Sequence, residues 1–292
     1  MERTEWRTAG RWLVRVAVWG MLPLVLGLVL APLLVPVPKV GVIRFSDVIW
    51  DGSIPYVGEM IDHVLRDGTI RAVVLEIDSP GGDVTATEEI YYRLLQLREH
   101  KPLVVTVDYL AASGGYYMAA AGDYIYAKPA SLVGNVGVIS FLPPVDQQRY
   151  TDEDYISTGP FKFSGGSRGD RVRQIELAKA GFLESVFAQR GDRLQIDREA
   201  LSSGEIFMGL QAKRMGLVDD LGANSEALQK AADLAQLRDY RVVDVNQTVY
   251  ADWEEGVMAW GDQPIASALS NRDPAWQRRL YYLYLEPQTR RP

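Results

Sequence analysis

Cysteine is absent from the 292 residues, so neither a disulfide framework nor a thiolate metal site is available. Histidine is nearly absent: His63 and His100 are the only two, too few to expect a catalytic zinc site. Positive charge is not in excess either. A net charge of −7 and a pI near 5.1 argue against a nucleic-acid partner, whose phosphates call for a basic surface. There is no internal repeat and no low-complexity tract. No cofactor and no metal are expected on these grounds.

What the chain does have is three glycine-rich turns at the ends of apolar runs. The most informative is Ala111-Ala112-Ser113-Gly114-Gly115-Tyr116-Tyr117, which reads as a strand-to-helix turn with a serine between small residues. Small neighbours let a carbonyl approach the serine, and N–H groups at a helix start can face the charge that develops in acyl transfer. Alone, such a segment is more simply a glycine-capped packing turn. Upstream, the buried-strand pattern Ala72-Val73-Val74-Leu75-Glu76-Ile77 runs into Asp78-Ser79-Pro80-Gly81-Gly82-Asp83-Val84, and downstream lies Gly134-Asn135-Val136-Gly137-Val138-Ile139. Asp78 reads as a turn former and Asp83 as a first-turn helix residue. His63 reads as an ordinary helix residue and His100 as a helix C-terminal one.

As a spaced set, these turns resemble the S-P-G-G, A-A-S-G-G-Y-Y and G-S-I-G-V-I motifs of the signal peptide peptidase family of membrane serine proteases, which share the ClpP/crotonase fold. The resemblance runs from about Val40 to Gly222. It implies Ser113 as nucleophile. Proteases of the ClpP type carry their histidine after the serine, whereas His63 and His100 both precede Ser113, so a lysine base is indicated. Of seven lysines, Lys162 matches the family's S-G-x-x-K segment through Ile156-Ser157-Thr158-Gly159-Pro160-Phe161-Lys162. Lys128 is the competitor by sequence proximity and reads as a surface residue at a strand end. The implied oxyanion hole uses the N–H of Gly114 and one from Gly81 or Gly82. Asn135 stands where the family often has serine and Phe163 where an acidic residue is frequent. Residues 141–154 look shorter and more polar than the family's helix. The elements Gly204–Ala212 and Met215–Gly222 also match family patterns and read as structural glycine turns with a carboxylate cap.

The N-terminus bears on location. Val16 to Pro38 carries no charge, and a span needs about 20 apolar residues. Arg3, Arg7, Arg11 and Arg15 precede it, which by the positive-inside rule keeps the N-terminus cytoplasmic. No clear A-x-A site follows the apolar run, so an uncleaved anchor is expected in preference to a signal peptide. The expected organisation is a basic N-terminus over 1–15, an anchor over 16–38, an α/β layered ClpP/crotonase-like domain over 39–245 and an appendage over 246–292.

Within the domain the pattern reads strand (41–45), helix (54–66), strand (71–77), helix (86–98), strand (103–107) and the Ser113 helix, with a further helix over 171–190. Leu280 to Leu285 reads as part of a closing helix.

The expectation is a single-pass inner-membrane serine endopeptidase with an extracytoplasmic catalytic domain, whose Ser-Lys pair works best at mildly alkaline pH. The resemblance implies remnant signal peptides as substrates and a homo-oligomeric ring whose sites are shared between subunits. A quality-control protease acting on a membrane protein is the alternative within that chemistry. A crotonase-type hydrolase and a noncatalytic scaffold are the alternatives outside it.

Overall fold

Aliphatic runs rich in β-branched residues alternate with amphipathic segments, and this pattern builds a mostly parallel sheet with helices on both faces. The computed structural model describes residues 12, 15–27, 36–140, 158–159, 161–162, 165–251 and 280–283. The chain runs β1 (Lys39–Phe45), α1 (Ser53–Arg66), β2 (Ile70–Ser79), β3 (Gly81–Asp83), α2 (Val84–His100), β4 (Leu103–Ala112) and α3 (Gly114–Ala119). It continues through β5 (Tyr124–Ala127), β6 (Leu132–Gly134), β7 (Ile139–Ser140), α4 (Arg168–Arg190), α5 (Arg198–Leu201), β8 (Ile206–Met208), α6 (Gly209–Arg214) and β9 (Asp220–Leu221). Last come α7 (Asn224–Leu234), β10 (Arg241–Asp244), α8 (Val245–Tyr250) and β11 (Leu280–Leu283).

The main sheet has the order β10-β1-β2-β4-β5-β9, with β6 on β4 and β8 on β6. All its pairs are parallel except β6 with β8. Alternation along β2 divides its side chains between two cores. Val73, Leu75 and Ile77 join Val57, Met60, Ile61 and Val64 of α1 and Ile90, Leu94 and Leu97 of α2. Ala72 and Val74 join Val40, Val42 and Val104 against Ala227, Ala231 and Ala232 of α7. The α1 residues fall at i, i+3, i+4 and i+7, one helical stripe.

Strand β4 carries the feature that positions the site. Ile77 pairs with Val107 but Ser79 pairs with Ala111, so β4 holds two more residues than β2 over this interval. Below this bulge β4 pairs with β5, and above it Leu110 to Ala112 pair with β6. The Ser131 hydroxyl donates to the carbonyls of Val107 and Asp108 at the split. The expected strand end at Val107 is thus a bulge, and the strand resumes to deliver Ser113. Bulges re-aim side chains in this way.

Two ionic arrangements brace the fold. Arg44, Glu76 and Thr106 stand in register across β1, β2 and β4. Glu76 accepts from Arg44 Nε at 2.8 Å and from Asn224 Nδ2 at 2.9 Å. At the C-terminal end of α4, Arg190 is 1 % exposed and makes a two-pronged pair with Asp219, at 2.8 and 2.9 Å. Asp219 also accepts the Ile125 N–H. It serves as a cross-link between distant segments rather than as a turn cap.

Among the described residues no helix is long and apolar enough to cross a membrane. Residues 15–27 are helical with a π-helical turn over Ala17–Met21, and Trp19, Leu22 and Leu24 are exposed. Residues 28–35 of the expected anchor, and Arg3, Arg7 and Arg11, lie outside the described residues. The tail departs from expectation, since Leu280–Leu283 is a strand and not a helix. It fills the middle of a second, antiparallel sheet of order β3-β11-β7. An isolated four-residue apolar run has no period to separate helix from strand, and the two flanking edges supply the decision.

Candidate active site

Ser113 sits between the end of β4 and the start of α3 at φ 53°, ψ −118° and is 1 % exposed. A side chain at positive φ costs about 1–3 kcal/mol and persists only where its surroundings over-determine it. Here the Ser113 N–H donates to the Gly134 carbonyl at 2.8 Å, and its carbonyl accepts from Tyr117 N–H at 2.9 Å. The Gly134 turn therefore clamps the Ser113 turn.

The next residues explain the Gly-Gly-Tyr-Tyr sequence. A Cβ on Gly114 would lie 2.8 Å from Thr87 Oγ1 and 3.2 Å from both Gly81 Cα and Gly82 N. One on Gly115 would lie 2.5 Å from the Ser79 carbonyl oxygen. At Gly115 only hydrogen fits against the Ser79 backbone, and at Gly114 a methyl would crowd the Thr87 hydroxyl. Tyr116 and Tyr117 are buried and anchor the helix. The Tyr116 hydroxyl donates to the Leu217 carbonyl at 2.9 Å, while Tyr117 stacks on Phe182 of α4 with ring centroids 4.5 Å apart. Burial pushes the Tyr117 hydroxyl up to about 12, so it stays protonated beside Ser185. These tyrosines were legible only as residues trailing a glycine pair.

The S-P-G-G turn is folded against the same point. The Ser79 hydroxyl donates to the Asp47 carbonyl at 2.6 Å and accepts from Gly81 N–H at 3.2 Å. Gly81 has φ 93°, which only glycine adopts freely. Ile49 N–H donates to the Gly81 carbonyl and the Ile49 carbonyl accepts from Asp83 N–H, so a residue outside every motif lines this turn. A Cβ on Gly82 would lie 1.9 Å from the Ile49 carbonyl oxygen. Gly82→Ala is accordingly expected to cost roughly 1–3 kcal/mol, read as a lower melting temperature, and an unchanged melt would contradict the packing described.

Asp83 caps α2, its carboxylate accepting the Ala86 N–H. Asp78 lies within β2, not in the turn. Its carboxylate takes the Leu110 N–H at the β4 bulge, and burial raises its pKa. Asn135 has φ 54°, a left-handed conformation that asparagine tolerates better than most, and it ties the loop to the Gly204 and Glu205 carbonyls. Beside it runs a groove of about 480 Å³ lined by Asn135, Val138, Ile139, Ile175 and Lys179 among others.

The structure thus brings Ser113 together with Gly81, Gly82 and Gly114. Lys162 is exposed, and among the described residues no hydrogen bond joins it to Ser113. Gly159 accepts its N–H at 3.3 Å, while Phe163 and Ser164 lie outside the described residues, as do 141–157. Lys128 is paired with Asp108 and with Asn224 Oδ1, a more committed position than a free surface lysine. His63 and His100 lie on α1 and at the end of α2, as read from sequence.

A profile of peptidase family S49 matches residues 96–238. The chain is 34% identical over 188 residues to Protease 4 of Salmonella typhi, covering 60% of this chain and 30% of that protein. It is 30% identical over 234 residues to Protease 4 of Haemophilus influenzae, covering 73% and 38%. It is 30% identical over 194 residues to the chloroplastic serine protease SPPA of Arabidopsis thaliana, covering 61% and 28%. The chain therefore spans well under half the length of these relatives. The profile takes in Ser113 and two of the three glycine turns, and the chain carries a peptidase family S49 domain.

Proposed function

We propose that the protein is a membrane-anchored serine endopeptidase that works through Ser113 and Lys162. The observation that carries this reading is a buried serine held at positive φ at a helix start, with the backbones of Gly81 and Gly82 packed against Gly114, the residue that follows it. The protease names of the relatives support it.

In this mechanism the lysine amine removes the Ser113 proton as Oγ attacks a peptide carbonyl. The oxyanion is held by the N–H groups of Gly114 and Gly82, since the Gly81 N–H already donates to Ser79. The lysine then returns the proton to the leaving amine, and water hydrolyses the acyl-enzyme. Because Ser113 is buried and Lys162 exposed, we assign the lysine to a neighbouring copy of the chain in a ring. Residues 16–38 would anchor it in the inner membrane with the N-terminus cytoplasmic and the catalytic domain outside, acting on remnant signal peptides or other extended peptides near the bilayer.

The test is covalent labelling of Ser113 by a fluorophosphonate. Labelling that vanishes in Lys162→Ala supports the pair, and absence of labelling in the wild type overturns it. A crotonase-type hydrolase or a scaffold would need neither residue. Because a lysine base acts when neutral, hydrolysis is expected to climb toward alkaline pH, and a maximum below about pH 6 would rule that base out.

A further inference from the structure

Strand β11 lies where an outside peptide would have to lie. Leu283, Tyr282 and Tyr281 pair antiparallel with Gly81, Gly82 and Asp83 of the S-P-G-G turn. Tyr281 and Leu280 pair with Ile139 and Ser140, at the end of the third glycine turn. Its backbone also runs beside α3, the helix that Ser113 opens. One edge of β3 is already used, because Ile49 takes the Gly81 carbonyl and the Asp83 N–H. Strand alternation therefore turns the Gly82 N–H and carbonyl toward β11, where Tyr282 is the paired residue. The Gly82 N–H is the donor that the mechanism above assigns to the oxyanion.

We infer that β11 is a tethered occupant of the substrate groove: the segment Leu280–Leu283 of this chain holds the strand position, and the oxyanion donor, that an incoming peptide needs. This rests on the peptidase reading for the meaning of the groove. Entry of an outside strand then requires β11 to leave, so the apparent affinity for substrate is reduced by the fraction of molecules whose groove is open. Main-chain pairing on both sides makes the groove tolerant of side chain, so any extended segment of sufficient local concentration competes.

The test uses the full chain carrying Tyr282→Pro, which lacks the N–H that faces the Gly82 carbonyl, and separately Tyr281→Pro, which disrupts the β7 side. In both, KM for an extended reporter peptide is expected to fall about fivefold or more with kcat little changed, and the rate of Ser113 labelling to rise by a similar factor. A synthetic peptide of residues 278–285 added to either variant is expected to inhibit competitively. Unchanged KM and labelling in a protein whose Ser113 is reactive would overturn the inference and leave the peptidase reading standing. Amide hydrogen exchange at residues 81–83 and 139–140 decides the matter even if no protein hydrolyses or labels. Faster exchange in the variants supports β11 as the occupant, and identical exchange refutes it.

Discussion

Ser113→Ala and Lys162→Ala are each expected to lower peptide hydrolysis by roughly 10³-fold or more while leaving the thermal melt close to that of the wild type, because nucleophile and base act as one unit. Activity within tenfold of wild type in either variant would sink the pair. Lys128→Ala is expected to change little, since that amine is held by Asp108 and Asn224 on the α7 side of the sheet. If the site is shared, mixing the two inactive proteins restores part of the activity, as some interfaces then join an intact serine to an intact lysine. Proven subunit mixing without recovery would place both groups in one chain. Ser113→Gly makes the strain visible: activity is lost, yet stability rises by about 1 kcal/mol, because glycine adopts φ 53°, ψ −118° without penalty.

The second large effect lies away from the serine. Asp219→Ala leaves the Arg190 guanidinium, 1 % exposed, without its carboxylate. Breaking a buried pair from one side costs about 3–5 kcal/mol, since the remaining charge stays desolvated. The Ile125 N–H loses its acceptor as well. Urea unfolding should show the midpoint falling sharply. The double variant Arg190→Met/Asp219→Ala should recover part of the loss, because it removes the stranded charge. A single variant within 1 kcal/mol of wild type would show that the pair contributes little.

The α/β alternation was legible because each buried strand is a run of aliphatic residues and each helix has an apolar stripe. The glycine turns were legible because Gly82 and Gly115 lie against backbone that leaves no room for a Cβ, while Gly81 and Gly134 take a left-handed φ that glycine adopts freely. The bulge in β4 was not, since Asp108 and Tyr109 interrupt an aliphatic run just as a strand end would. Nor was the Arg190–Asp219 pair, whose members stand 29 positions apart with no local pattern linking them. Ile49 escaped notice for the same reason, as its role is set by what Gly82 lacks. The identity of β11 as a strand depends on edges contributed by residues 81–83 and 139–140, and no property of Leu280–Leu283 alone encodes it.

The parallel pairing of β1 with β10 joins Lys39 to Arg241. During synthesis, β1 emerges early and can settle against β2, but its other side has no partner until the ribosome has added some 200 residues more, as the Arg44–Asn246 contact at a separation of 202 illustrates. At about 5–20 residues per second that delay is roughly 10–40 s. For that time the emerging chain presents an open strand edge over Lys39–Val42 to its surroundings, long enough for a holdase to bind or for a second copy to pair with it.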